Sequence, residues 1–145
     1  MSPDATAAAG GASTRSESLR ASGLGVSLTV KDIHQSLAWY RDVLGFTVDR
    51  QTEREGKLRA VGLRAGEARI NINQDDGAKG WDRVKGEGFS LMFTTAQSID
   101  AVAAAIKARG GKLDSEPADM PWGVRMFRVR DPDGYRFAVS SPRPA

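Results

Sequence analysis

One pattern constrains this chain more than any other. An alternating apolar stretch, a helix-spaced stretch and three more alternating stretches occur in that order, and then the order repeats. Val26, Leu28 and Val30 alternate with Ser27 and Thr29, which predicts a half-buried strand with one apolar and one polar face. Asp32, followed three residues later by Gln35, has the form of a helix capping box. Ile33, Leu37, Tyr40 and Leu44 then recur at helical spacing, and Gly45 stops the helix. Strands are expected over Phe46–Glu53, Leu58–Leu63 and Ala68–Asn73, separated by turns at Arg54-Glu55-Gly56 and Ala65-Gly66. A Gly-containing loop covers residues 74–88, with Asp75 and Asp76 read as a solvated turn beside Gly77.

The second half repeats the order without repeating the residues. Phe89–Thr94 is strand-like. Ile99, Val102, Ala103 and Ile106 form a helical stripe, capped by Ser98 or Gln97 and ended by Gly110. Lys112–Ser115 and Val124–Val129 are strands, Asp131-Pro132-Asp133-Gly134 is a turn, and Tyr135–Ser140 is the last strand. A helix between neighbouring strands packs on one sheet face, so each half leaves its other face free. The predicted class is α+β: two βαβββ modules forming a curved mixed sheet cup, with helices on the outer face.

Residues 1–22 contain Leu19 as their one large aliphatic residue after Met1, too little apolar surface to offset ordering entropy. They are expected to be a flexible tail. The domain is expected over 23–142, in halves of about 23–74 and 88–142, with 143–145 as a short tail. The formal net charge of +3 is spread among interleaved acids and bases, which argues against nucleic acid as a partner. The chain has no cysteine, which excludes disulfides, thiolate metal sites and thiol nucleophiles. No apolar run approaches the roughly 20 residues of a membrane span, and no secretory segment is visible. A cytoplasmic location and no membrane partner are therefore expected.

Two motifs carry a resemblance. Ser27-Leu28-Thr29-Val30-Lys31-Asp32 with Ser36-Leu37-Ala38-Trp39-Tyr40-Arg41-Asp42-Val43-Leu44-Gly45-Phe46 resembles the opening of the vicinal-oxygen-chelate superfamily, which includes glyoxalase I, extradiol dioxygenases and bleomycin-resistance proteins. Trp122-Gly123 and Arg130-Asp131-Pro132-Asp133-Gly134-Tyr135-Arg136-Phe137 look like that family's closing hairpin. In the family's metalloenzymes, His, Glu or Gln on the first and last strands of each half hold a divalent metal. The resemblance puts Gly25, Asn71, a residue near Ser90 and Ala138 at those positions here. Phe89 and Leu91 are the neighbouring registers for the third. None of these supplies an imidazole or carboxylate, so neither a metal nor another cofactor is expected. The one histidine, His34, falls in the first turn of the first helix and reads as a solvated surface residue.

Without a metal, the resemblance implies the family's bleomycin-resistance-like branch: binding of a small organic ligand, such as an antibiotic or other xenobiotic, in the groove of a homodimer. Two other readings stay open: a lyase, isomerase or dioxygenase of the same superfamily, and a partner-binding module with a vestigial cup. Expected ligand contacts are Asn71, Asn73, Ser27 and Thr29, which share a face by alternation. Trp122, after Pro121 and before Gly123, is either a stacking surface or a core plug. Trp81 is either a lid or a loop anchor, and Trp39 reads as core or dimer contact. Arg69 and Arg136 are in phase with Asn71 and Ala138 and are candidates to meet an anionic group. Met92 and Met126 are either adaptable walls of the cup or core filler.

Overall fold

The computed structural model describes residues 18–143; most of the expected N-terminal tail and the last two residues lie outside them. The strands are β1 (Ser27–Val30), β2 (Thr47–Arg54), β3 (Lys57–Ala65), β4 (Ala68–Gln74), β5 (Ser90–Thr94), β6 (Leu113–Asp119), β7 (Val124–Arg130) and β8 (Arg136–Pro142). Helix α1 covers Ile33–Ala38 and continues as a π-helical segment, Trp39–Val43; α2 covers Ile99–Ala108. The expected order is therefore present, with β6 running further than its sequence signal because Glu116-Pro117 masks the alternation.

The strands form two four-stranded mixed sheets, ordered β1-β4-β3-β2 and β5-β8-β7-β6. Each sheet is open, and no ladder joins the two among the described residues. In each, the first and last strands of the module are parallel and the others antiparallel.

Local chemistry explains the helix starts. Asp32 is the N-cap of α1, its side chain accepting from the backbone N–H groups of His34 and Gln35. The N–H of Ile33 is taken by Gln74 Oε1 of β4 at 2.9 Å, so a residue distant in sequence completes the cap. Ser98 caps α2 through Ala101 N–H.

Leu28, Val30, Val61, Leu63, Ile70 and Ile72 are buried on the helix-covered face of the first sheet. Phe127, Val129 and Phe137 do the same for the second sheet and belong to the same apolar cluster. Aromatic rings join the halves there. Phe93 stacks on Phe137 at 5.6 Å, and Tyr40 meets Phe137 edge-on at 5.8 Å. Trp39, half-buried, lies 4.9 Å from Tyr40 and 6.3 Å from Phe137, so its structural reading as core holds.

A polar network holds the halves together beside this core. Asp131 accepts from Tyr40 Oη at 2.7 Å and from the N–H groups of Asp133 and Tyr135. Asp133 accepts from Lys31 N–H at 2.8 Å, and Tyr135 Oη donates to the Thr29 carbonyl at 2.8 Å. The turn expected to shape a hairpin therefore also clamps the second module to β1 and α1. Asp75 corrects an expectation: it is buried, not a solvated turn residue, with Lys85 Nζ at 3.2 Å and Arg83 Nε at 3.4 Å. The Gly77 N–H, followed by Lys85 and Arg83, holds its carboxyl below the usual carboxylate range. Asp76, its neighbour, is exposed and accepts from Ala78 N–H.

Candidate functional site

The faces not covered by helices carry the residues singled out from the sequence. On the first sheet, Ser27 pairs with Asn71 and Thr29 with Asn73, so all four project on one face. Asn73 Nδ2 donates to Ser27 Oγ, which fixes the amide. Gly62, in the middle of β3, stands opposite Asn71; a Cβ there would lie 3.3 Å from Asn71 Oδ1. The missing side chain keeps the Asn71 amide uncovered on that side. Gly25 precedes β1 with open space around its α-carbon.

On the second sheet, Ser90 pairs with Arg136 and Met92 with Ala138. Met92 is 65 % exposed, whereas Met126, on the same face, is buried and fills space as core. Ala138 and Ser140 are buried as well. Trp122 lies in the β6–β7 turn, 62 % exposed, which rules out the core-plug alternative. Trp81 is 50 % exposed and lies against Gly77, where a Cβ would come within 2.4 Å of its ring. That contact matches the loop-anchor alternative. The structure thus brings Ser27, Thr29, Asn71 and Asn73 together, and puts Arg136 on the other sheet and the two tryptophans in loops.

Register exposes a feature that alternation alone missed. Arg64 faces Arg69 directly across β3–β4, and Arg130 faces Arg136 directly across β7–β8. Like charges directly opposite in a sheet are destabilising. Each pair has one acid: Asp49 lies 3.3 Å from Arg64, and Asp114 lies 2.6 Å from Arg130. Arg69 and Arg136 have no ion-pair partner among the described residues, and they occupy equivalent places, two residues before Asn71 and Ala138. The polar faces are therefore electropositive at matching points, suited to an anionic group on a ligand.

These faces hold little that could ligate a cation. The described residues contain no group of three or more His, Cys, Asp or Glu placed to hold a metal ion. Asn71 contributes one neutral oxygen, and Gly25 and Ala138 contribute none. His34 is exposed on α1.

Residues 24–139 match the family model described as Glyoxalase/Bleomycin resistance protein/Dioxygenase superfamily. A Synechocystis protein named "Probable lactoylglutathione lyase" is 30% identical over 118 residues, covering 77% of this chain and 88% of that protein. The lactoylglutathione lyase of Haemophilus influenzae is 29% identical over 116 residues, covering 76% of this chain and 84% of the other. Some relatives are longer: this chain spans 42% of a lactoylglutathione lyase of Arabidopsis thaliana, at 26% identity. Among solved structures, TioX from a Micromonospora species superposes with a TM-score of 0.68 at 20% identity, covering 85% of this chain and 100% of TioX. TnmS3, described as an antibiotic binding protein from a Streptomyces species, gives a TM-score of 0.66 at 21% identity, covering 87% of this chain and 100% of TnmS3.

Proposed function

Because the chain belongs to the glyoxalase/bleomycin resistance protein/dioxygenase superfamily, we propose that it binds and sequesters a small organic molecule without a resident metal, in a groove between two copies. One observation carries this reading. By the family resemblance, the metal-ligand positions of its metalloenzymes fall on Gly25, Asn71, one of Phe89, Ser90 and Leu91, and Ala138, while the faces around them carry amides, hydroxyls and unpaired arginines. Sequestration needs shape, an apolar contact and a few polar anchors, and no reactive group. Asn71, Asn73, Ser27 and Thr29 offer hydrogen bonds, Arg136 an anion contact, and Trp122 a ring to stack on. Trp81, packed on Gly77, would anchor the loop beside the groove.

The two polar faces belong to separate open sheets. A second copy would bring the first-sheet face of one chain against the second-sheet face of the other, completing a groove and covering exposed strand edges. The description of TnmS3 as an antibiotic binding protein supports an antibiotic or similar xenobiotic as the ligand class. A cytoplasmic location belongs to the same proposal; among the described residues no helix is long and apolar enough to cross a membrane.

The test is a thermal-shift and tryptophan-quenching screen of aromatic antibiotics on chelator-dialysed protein. A ligand at a hundred times its Kd should add about 2.7 kcal/mol of stability. Trp122→Ala and Arg136→Ala should each weaken binding about tenfold or more. Sedimentation should give the mass of a dimer. Stoichiometric tightly held metal, with turnover of a glutathione hemithioacetal, would sink this reading. It would favour a second one, a lyase, for which the lactoylglutathione lyase relatives at 30% identity speak.

A further inference from the structure

A cavity lies between the two modules and meets the second polar face at Met92. It is a cleft of about 810 Å³, within the range of drug-sized pockets. None of Ser27, Thr29, Asn71, Asn73, Trp81, Trp122 or Arg136 lines it. One wall is aromatic: Phe93 and Phe137 stack at 5.6 Å with planes 20° apart, and Phe46 meets Phe93 edge-on at 5.8 Å. Small residues make the room. Gly45, Ala68 and the α2 pair Ala101 and Ala105 come from three segments distant in sequence, and a larger side chain at any of them would take up part of the volume.

A guanidinium stands at the edge of this space. Arg109 is the C-cap of α2 and lines the cleft. Its Nε donates to the Val43 carbonyl at 2.9 Å, which pins the group across the gap between the modules. Its terminal nitrogen lies over Gly45, 3.3 Å from where a Cβ would be, at a φ of +86° that already favours glycine. With Nε occupied, the terminal nitrogens make no hydrogen bond to another residue among the described ones. The carbonyls at the end of α2 offset part of the charge. Among the described residues, no carboxylate lies within ion-pair distance of it. Glu67, at the exposed β3–β4 turn, also lines the cleft, and Thr95 and Gln97 are hydrogen-bonded to one another there.

The geometry points to a second ligand site, separate from Asn71 and Arg136, that takes an aromatic monoanion: a ring system laid against Phe93, which the buried Phe137 backs, with a carboxylate or sulfonate on Arg109. Apolar burial supplies most of the affinity and the oriented guanidinium selects the charge.

Anilinonaphthalene sulfonate tests this directly on the full chain, with N-phenylnaphthylamine as its uncharged counterpart. The sulfonate should bind saturably, one per chain. Arg109→Gln should weaken it about tenfold, the worth of one charge-assisted contact, while leaving the uncharged dye unchanged. Ala105→Phe should abolish binding of both dyes by filling the cleft, and Arg136→Ala should leave both unaffected. If Ala105→Phe fails to fold, the contrast between the dyes in Arg109→Gln decides alone. Equal affinity for the sulfonate in native protein and Arg109→Gln would overturn the assignment. So would loss of binding in Arg136→Ala, because the dye would then sit on a polar sheet face.

Discussion

Asp131→Ala should lower the folding free energy by about 3 kcal/mol or more, and the melting temperature by roughly 10 °C, as read by urea and thermal denaturation. Asp131 is buried and accepts three hydrogen bonds: from Tyr40 Oη at 2.7 Å, from Asp133 N–H at 2.9 Å and from Tyr135 N–H at 2.8 Å. Truncation leaves the Tyr40 hydroxyl, itself fully buried, without its acceptor. An orphaned buried donor costs more than the net worth of the bond it made. The turn that presses the second module onto β1 and α1 would also loosen. A loss below 1 kcal/mol would show that water replaces the carboxylate and that the clamp is not structural.

The isosteric variant Asp131→Asn reads the electrostatics of the same site. Burial raises the Asp131 carboxyl above its ordinary value, against the lowering effect of the Tyr40 and backbone donors. The folded state then holds its proton more tightly than the unfolded state. The stabilisation from that protonated group is complete below the ordinary carboxylate value and is lost as pH rises through the raised one. The stability gap between native protein and Asp131→Asn should therefore shrink as pH rises from 3 towards 7. A gap that widens over that interval would mean that the donors, and not burial, dominate.

Phe137→Ala should cost about 4 kcal/mol, in the range for emptying a phenylalanine site in a packed core. Its ring is 1 % exposed and contacts Phe93, Tyr40 and Trp39, so the deletion removes the central piece of the contact between modules. Phe137→Leu should recover about half of the loss, since it restores volume but not the stacked geometry. Guanidinium denaturation of the three proteins measures both numbers. A cost near 1 kcal/mol for the alanine variant would mean that the modules are stabilised separately and that their shared aromatic contact contributes little.

The polar faces were readable in advance because the information is short-range. Period-two alternation puts Ser27 with Thr29 and Asn71 with Asn73 on common faces, whatever strand pairs with them. The Asp32 and Ser98 caps were readable for the same reason, since each acts within three residues of itself. Asp75 was misjudged because its partners, Lys85 and Arg83, sit in a loop with no periodicity to place them. The π-helical turn at Trp39–Val43 also left no mark, because an apolar stripe of this length fits either helical period.

Sequence alone thus determined the order of strands and helices and the two faces of each strand. These are properties of side-chain type and spacing along a few consecutive residues. Tertiary structure alone decided that Arg64 meets Arg69 and Arg130 meets Arg136, that one aspartate is buried and its neighbour is not, and that Arg109 and Phe93 line one cleft. Each of those depends on register, or on the packing of modules whose residues are far apart in the chain, and local periodicity carries no information about either.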